Sequence, residues 1–208
     1  MQVFDAQHGR FPITEIADSP RFEFRGMHLD IARHFPGKAA IESVVRQMFT
    51  YKLNKLHLHL SDDEGWRLAI DALPELTEIG AFRCHDLSEA QCLLPQLGSG
   101  PFKSATGNGF LTQQDYIEIL TMAHARGIEV IPSLDMPGHA RAAIVAMNAR
   151  YKRLMAEGEL DAANEFLLVD KEDKTQYESV QFYSDNTINP CLDSSYHFIE
   201  TVLTSVKS

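Results

Sequence analysis

An acidic cluster beside an aromatic ring is the strongest chemical signal in the chain. Residues 61–67 read S-D-D-E-G-W-R and include Asp62, Asp63 and Trp66. Carboxylates can exchange protons and accept hydrogen bonds from hydroxyl groups, and an indole ring offers a flat apolar face. The combination favours a sugar-binding site. The alternative is a solvated acidic turn that precedes a helix.

Two further polar clusters each follow a predicted strand. Asp135 and His139 belong to the segment D-M-P-G-H-A, and Arg33 ends the segment D-I-A-R. Taken alone, the histidine could be structural and the arginine could form a surface ion pair. The carboxyl ends of parallel strands share one edge of a sheet, where active sites form. The three clusters together therefore predict one site.

The elements that must position these clusters alternate between strands and helices. Apolar and polar side chains alternate over three stretches, which predicts strands over residues 22–31, 55–61 and 128–134. Amphipathic spacing and a capping box at Thr112 predict helices over residues 41–48, 112–126, 140–157 and 196–206. Strands joined through helices form a parallel sheet. The predicted fold class is α/β.

Composition narrows the possible partners of the chain. Its 208 residues are 44% hydrophobic and 23% charged, as in a globular domain, and its formal charge is −10. This charge disfavours nucleic acid and anionic lipid as partners. There is no apolar run of about 18 residues that would span a membrane. Residues 1–20 lack the pattern of a signal peptide, so we expect any export signal to lie upstream of them.

The polar clusters lie within longer segments that resemble a known family. These segments read F-R-G-M-H-L-D-I-A-R-H-F from Phe24, K-L-N-K-L-H-L-H-L-S-D-D-E-G-W-R from Lys52, and D-M-P-G-H-A-R-A-A from Asp135. They resemble family 20 glycoside hydrolases, in particular β-N-acetylhexosaminidases of the bacterial chitobiase type. Two more segments share this resemblance, R-C-H-D-L-S-E around Cys84 and N-P-C-L-D-S-S around Cys191.

The resemblance implies a (β/α)₈ TIM-type barrel and a domain arrangement. Residues 21–208 would be the N-terminal portion of the catalytic domain, truncated before strand four, with the first three or so βα units and long loops. Residues 1–20 would be a linker from a preceding domain. The unfinished barrel would expose parallel edges, which predicts some self-association.

The implied activity is removal of terminal β-linked N-acetylglucosamine from chitobiose and chito-oligosaccharides, with the substrate's own acetamido group as nucleophile. By motif, Arg33 would hold hydroxyls of the terminal sugar. Asp62 and His139 would support the catalytic glutamic acid, and Asp135 would line the pocket. Asp63 and Trp66 are further candidates. The resemblance implies no cofactor and no metal.

Two departures from the family pattern affect these expectations. The family's catalytic Asp-Glu pair, which follows Gly-Gly, has no counterpart, because the only Asp-Glu here is Asp63-Glu64. We therefore expect the isolated chain to be inactive. The family also has a glutamate in strand three where this chain has Ser133.

The three cysteines leave at least one without a partner inside the chain. The resemblance implies a local disulfide between Cys84 and Cys92, and a partner for Cys191 beyond Ser208. Such pairing would place the parent protein in the periplasm or outside the cell. Three reduced thiols are the alternative.

Two other functions compete with this hypothesis. His57 and His59 alternate on one face of a strand near carboxylates, as in metal-dependent amidohydrolase barrels. Alternatively, the chain could be a non-catalytic remnant that still binds carbohydrate.

Overall fold

A parallel sheet covered by helices organises the chain. The computed structural model describes residue 13 and residues 15–95 and 100–207. The elements are β1 (Gly26–Asp30), α1 (Lys38–Thr50), β2 (Lys55–Asp62), β3 (Gly65–Trp66), α2 (Glu75–Glu78), α3 (Gln113–His124), β4 (Glu129–Leu134), α4 (Arg141–Glu157), α5 (Leu160–Asn164) and α6 (Asp193–Lys207). This is the α/β order of the first units of a (β/α)₈ barrel.

The strands meet in the order that consecutive barrel strands require. β2 pairs in parallel with β1 on one side and with β4 on the other. β3 is a two-residue strand that turns back against the end of β2. All three parallel strands therefore end at the same edge of the sheet. β1 is shorter than the predicted strand over residues 22–31 and begins at Gly26.

The two faces of β2 have different environments. Leu56, Leu58 and Leu60 are fully buried in the core, and burying one such side chain stabilises a fold by about 1.5–3 kcal/mol. The opposite face presents His57 and His59, since successive strand residues point to opposite sides. The register places His59 between Asp30 of β1 and Ser133 of β4. The apolar face thus anchors the strand, and the polar face becomes available for chemistry.

The predicted helices are all present in the described residues. α1 buries Ile41, Val45 and Met48 in the core, and α3 begins at the predicted capping box of Thr112 and Asp115. Two short helices, α2 and α5, were not predicted. They have four and five residues, which is too short for a helical repeat of apolar positions to be visible in a sequence.

The expected linker over residues 1–20 lies largely outside the described residues, and the described part has no helix or strand. Within the described residues, no helix combines the length and apolar character that crossing a bilayer requires.

Candidate active site

Asp62 is the centre of the polar cluster at the strand ends. Its carboxylate lies on the last residue of β2, and the residue is 2% exposed. One oxygen, Oδ2, lies 2.7 Å from Nη2 of Arg33 and 2.9 Å from Nε2 of His59. The other oxygen, Oδ1, accepts the backbone N–H of Asp63 at 2.7 Å and lies 3.3 Å from Nδ1 of His139. Asp62 thus connects all three predicted strand ends.

These contacts keep Asp62 ionised although it is buried. Burial favours the neutral carboxyl group, but the hydrogen bond with His59, the N–H of Asp63 and the charge of Arg33 together lower the pKa of Asp62. The same hydrogen bond with Asp62 raises the pKa of His59 above its ordinary value of 6.5. Asp62 is therefore a fixed negative charge that can orient an imidazole.

The pKa values of the two carboxylates that follow Asp62 are shifted in the opposite direction, upward. Burial raises the pKa of Asp63 and the pKa of Glu64. Glu64 accepts a hydrogen bond from Nε of Arg33 at 3.1 Å, and Asp63 contacts the loop before α6. The three carboxylates are adjacent in sequence but differ in their partners, because Asp62 and Glu64 both contact Arg33, whereas Asp63 bonds Asn186 and the backbone N–H of Arg141.

Arg33 lies among three carboxylates, which include that of Asp30 at 2.9 Å from Nη1. Burial lowers the pKa of Arg33, but the charges of Asp62 and Asp30 outweigh this effect and raise it. About 30% of the side chain is exposed. The guanidinium is therefore held in place with part of its surface open to the edge of the sheet.

His139 lies between two carboxylates on the third strand's side of the site. Its Nδ1 is 3.3 Å from Oδ1 of Asp62 and 3.3 Å from Oδ2 of Asp63. The geometry gives Nδ1 no hydrogen bond to a described residue. Since 40% of the side chain is exposed, the imidazole can interact with groups in the open space above the sheet.

Asp135 also reaches this edge, although its carboxylate has looser contacts. Its Oδ1 lies 3.8 Å from Nδ1 of His59, and 36% of its side chain is exposed. Its backbone N–H donates to Oγ of Ser61 at 3.1 Å. The carboxylate therefore faces the same open space as His139.

Trp66 requires a correction. The indole is 1% exposed and packs edge-on against Phe198 in the core. Its Nε1–H donates to the carbonyl of Leu68 at 2.6 Å. The predicted use of this ring as a sugar platform is wrong for the described structure, because no ring face is open. The short β3 strand turns the indole inward.

Several residues of the site are not predicted by the sequence. The sequence indicates His59 only as a possible metal ligand. In the structure, its Nδ1 lies 2.8 Å from Oγ of Ser133 and its Nε2 lies 2.9 Å from Oδ2 of Asp62, so His59 bridges these two residues. Ser133 thus supplies a hydroxyl partner at the position where the resemblance implies a glutamate. Asn186 binds Asp63 from a distant loop, and no sequence pattern indicated this contact.

Some ligand-type side chains lie close enough together to hold a metal ion. Within the described residues, these groups are His59 with Asp62 and Asp135, and Asp62 with Asp63 and His139. His57 belongs to neither group. The guanidinium of Arg33 already lies against Oδ2 of Asp62, a position in which it competes with a cation.

A disulfide joins Cys84 to Cys92 in the loop between α2 and α3, with Cα atoms 5.7 Å apart. This is the pair that the resemblance implies. Cys191 is free and exposed within the described residues. The disulfide loop carries Glu89, which receives two hydrogen bonds from Arg141 at the start of α4.

The chain is similar to known proteins over almost its whole length. β-Hexosaminidase B of Pseudoalteromonas piscicida is 58% identical over 205 residues, which cover 99% of this chain and 26% of that protein. N,N'-diacetylchitobiase of Vibrio harveyi is 55% identical over 206 residues, which cover 98% of this chain and 23% of that protein. The chain therefore spans about a quarter of the length of these curated relatives.

Solved structures are also similar to this chain over most of its length and over part of their own. A family 20 exo-β-N-acetylglucosaminidase of Vibrio harveyi, in complex with N-acetylglucosamine, superposes with a TM-score of 0.76 at 42% identity over 91% of this chain and 26% of that one. A β-N-acetylhexosaminidase of Streptomyces coelicolor gives 0.61 at 30% identity, over 91% of this chain and 31% of that one. Residues 22–208 match the catalytic domain of glycosyl hydrolase family 20, and the chain belongs to that family.

Proposed function

We propose that the protein containing this chain hydrolyses terminal β-linked N-acetylglucosamine from chitobiose and chito-oligosaccharides by substrate-assisted, retaining catalysis. The observation that carries the proposal is the Asp62–His139 pair at 3.3 Å, held at the carboxyl ends of parallel strands in a family 20 domain. Relatives named β-hexosaminidase and N,N'-diacetylchitobiase support the same substrate class.

Each side chain of the site has a role in the proposal. The exposed part of Arg33 binds hydroxyls of the terminal sugar, and Asp135 lines the pocket. The negative charge of Asp62, 3.3 Å from Nδ1, orients the imidazole of His139. His139 then tunes the proton affinity of a glutamic acid that a later strand supplies. That acid protonates the leaving oxygen while the substrate's acetamido group attacks the anomeric carbon.

The test uses the full-length protein and 4-nitrophenyl N-acetyl-β-D-glucosaminide. We expect the wild type to release 4-nitrophenol. His139→Gln should lower kcat by about 10²-fold, at the low end of what acid–base groups contribute, because the residue acts through the acid. His124→Gln on the exposed surface of α3 is the matched control and should retain full activity.

Other outcomes would favour the competing functions. Binding of N-acetylglucosamine without hydrolysis by the full-length wild type would indicate a carbohydrate-binding protein. Stoichiometric zinc or iron in elemental analysis, with loss of activity after chelation, would indicate a metal-dependent barrel. Either result would contradict the proposed mechanism.

We further propose that the full-length protein works in the periplasm or outside the cell. The disulfide between Cys84 and Cys92 supports this, because structural disulfides persist in oxidising compartments. Fractionation of cells followed by activity measurement tests the proposal. Activity confined to the cytoplasmic fraction would contradict it.

A further inference from the structure

The loop over residues 177–188 is bonded to the segment that carries the site histidine. The N–H of Ile188 donates to the carbonyl of Pro137 at 2.8 Å, and the N–H of Ala140 donates to the carbonyl of Asn186 at 3.0 Å. These two bonds lie on either side of His139. The loop therefore holds the backbone of this segment from one direction.

Asp63 bonds both this segment and the loop. Its Oδ1 accepts the backbone N–H of Arg141 at 3.1 Å, and its Oδ2 accepts Nδ2–H of Asn186 at 2.9 Å. Asp63 is 2% exposed. Because both oxygens already accept hydrogen bonds inside the protein, its carboxylate has little surface for a substrate.

The segment needs such support for two reasons. His139 has a φ of 55°, in the left-handed region that is unfavourable for residues other than glycine. The N-cap residue of α4 is Ala140, which offers no side-chain cap. The carboxylate of Asp63 bonds an N–H in the first turn of α4 and adds a negative charge at its N-terminus, as an N-cap residue would do locally.

The orientation of the Asn186 amide is fixed by a second partner. Tyr177 donates its O–H to Oδ1 of Asn186 at 3.1 Å, and its oxygen accepts the backbone N–H of Asn186 at 2.7 Å. With the oxygen of the amide used in this way, the NH₂ group faces Asp63. The pair of Asp63 and Asn186 is thus a matched acceptor and donor.

We propose that Asp63 and Asn186 form a positioning pair that holds His139 at its distance from Asp62, and that Asp63 does not bind the sugar. The adjacent aspartates then differ in what they hold, since only Asp63 of the two bonds the backbone beside His139, whereas both carboxylates lie 3.3 Å from Nδ1 of the imidazole. The catalytic consequence of the pair rests on the proposed function. The geometric part, which concerns where His139 lies, does not.

The experiment exchanges the two members of the pair in the full-length protein. Asn186→Asp places two carboxylates against each other and should lower kcat about tenfold or more, because small displacements of a catalytic group are costly. The double variant Asp63→Asn with Asn186→Asp restores a donor and an acceptor and should recover most of kcat. Asn189→Asp, one residue after this loop, adds a charge at a side chain whose oxygen accepts the N–H of Cys191, and it is the matched control.

The outcomes separate positioning from substrate binding. For a positioning pair, KM in the single variants should stay within about threefold of the wild-type value, because neither variant removes a contact that binds the substrate. A double variant as impaired as Asn186→Asp, or Asp63→Asn with normal kcat and a large rise in KM, would overturn the inference. If Asn186→Asp fails to fold, Asn186→Ala removes the donor without adding charge and serves in its place.

A crystallographic measurement separates this inference from the proposed function. In full-length Asn186→Asp we expect the His139 ring to be displaced from Asp62, and in the double variant to return. If the wild type is inactive, but the His139 ring is displaced in Asn186→Asp and returns in the double variant, the proposed function is contradicted and the positioning pair is supported. An undisplaced ring in Asn186→Asp would overturn the positioning pair, whether or not the enzyme is active.

Discussion

At the scale of single residues, the fold gives neighbouring identical side chains different properties. Asp62 and Asp63 are adjacent and equally buried, yet the pKa of Asp62 is lowered and that of Asp63 is raised. The difference arises from their partners. Arg33 and His59 contact Asp62, whereas Asp63 has a neutral amide and a backbone N–H. Burial then dominates for Asp63.

The His59–Asp62 ion pair predicts a pH dependence of stability. A raised pKa of His59 means that its contribution is present below the ordinary value of 6.5 and is lost as pH rises through the folded-state pKa. The pKa of Asp62 is lowered, so the contribution of its charge to stability is fully present above pH 3.8 and is lost as the pH falls through the lower folded-state pKa. The contribution of the pair is therefore greatest between these values.

The measurement compares melting temperatures of the wild type and His59→Gln, which keeps a donor but not the charge. The wild type should be more stable by a larger margin at about pH 5.5 than at about pH 9, because only the charged imidazole forms the ion pair. His85→Gln, at an exposed position, controls for loss of a histidine. A margin that is the same at both pH values would show that the charge contributes nothing.

At the scale of elements, the group that accepts a hydrogen bond from the first turn of a helix is near in sequence for α3 and distant in sequence for α4. α3 has both halves of a capping box, because Thr112 accepts from the N–H of Asp115 and the carboxylate of Asp115 accepts from the N–H of Thr112. That signal is visible in the sequence. α4 lacks such a box and takes its acceptor from Asp63.

Thr112→Ala should lower the free energy of unfolding by about 1 kcal/mol, since it removes a side-chain cap. The matched control is Thr121→Ala in the same helix, where the hydroxyl only bonds the carbonyl of Ile117 in the preceding turn. Alanine is a better helix former there, so the control should change stability by less than about 0.5 kcal/mol. Thermal denaturation of both variants tests this, and equal losses would contradict it.

At the scale of the whole molecule, Arg67 ties the strand ends to the long loop. Its side chain is fully buried and donates to backbone carbonyls only. These carbonyls belong to Ile31, Ala32, Ala81 and Gly109. The side chain thus connects the end of β1, which leads to Arg33, with loop residues far away in sequence.

Arg67→Met should destabilise the protein strongly, because several buried carbonyls lose their donors at about 1–3 kcal/mol each. A loss of this size corresponds to a fall in melting temperature of roughly 6 °C or more. Arg46→Met is the control, since Arg46 is half exposed and its ion pair among the described residues is with Glu42 at 3.6 Å. A melting temperature of Arg67→Met close to that of Arg46→Met would contradict this role.

The sequence alone was enough for the α/β class, the main helices and strands, and the position of Arg33, Asp62, Asp135 and His139 at one edge. These features depend on periodicity and on local motifs, which a sequence displays directly. Only the tertiary structure decided that Trp66 points into the core, that His59 bridges Asp62 and Ser133, and that Asn186 binds Asp63 across 123 positions of sequence separation. Contacts between distant segments leave no local pattern, because they depend on how the chain returns to the sheet.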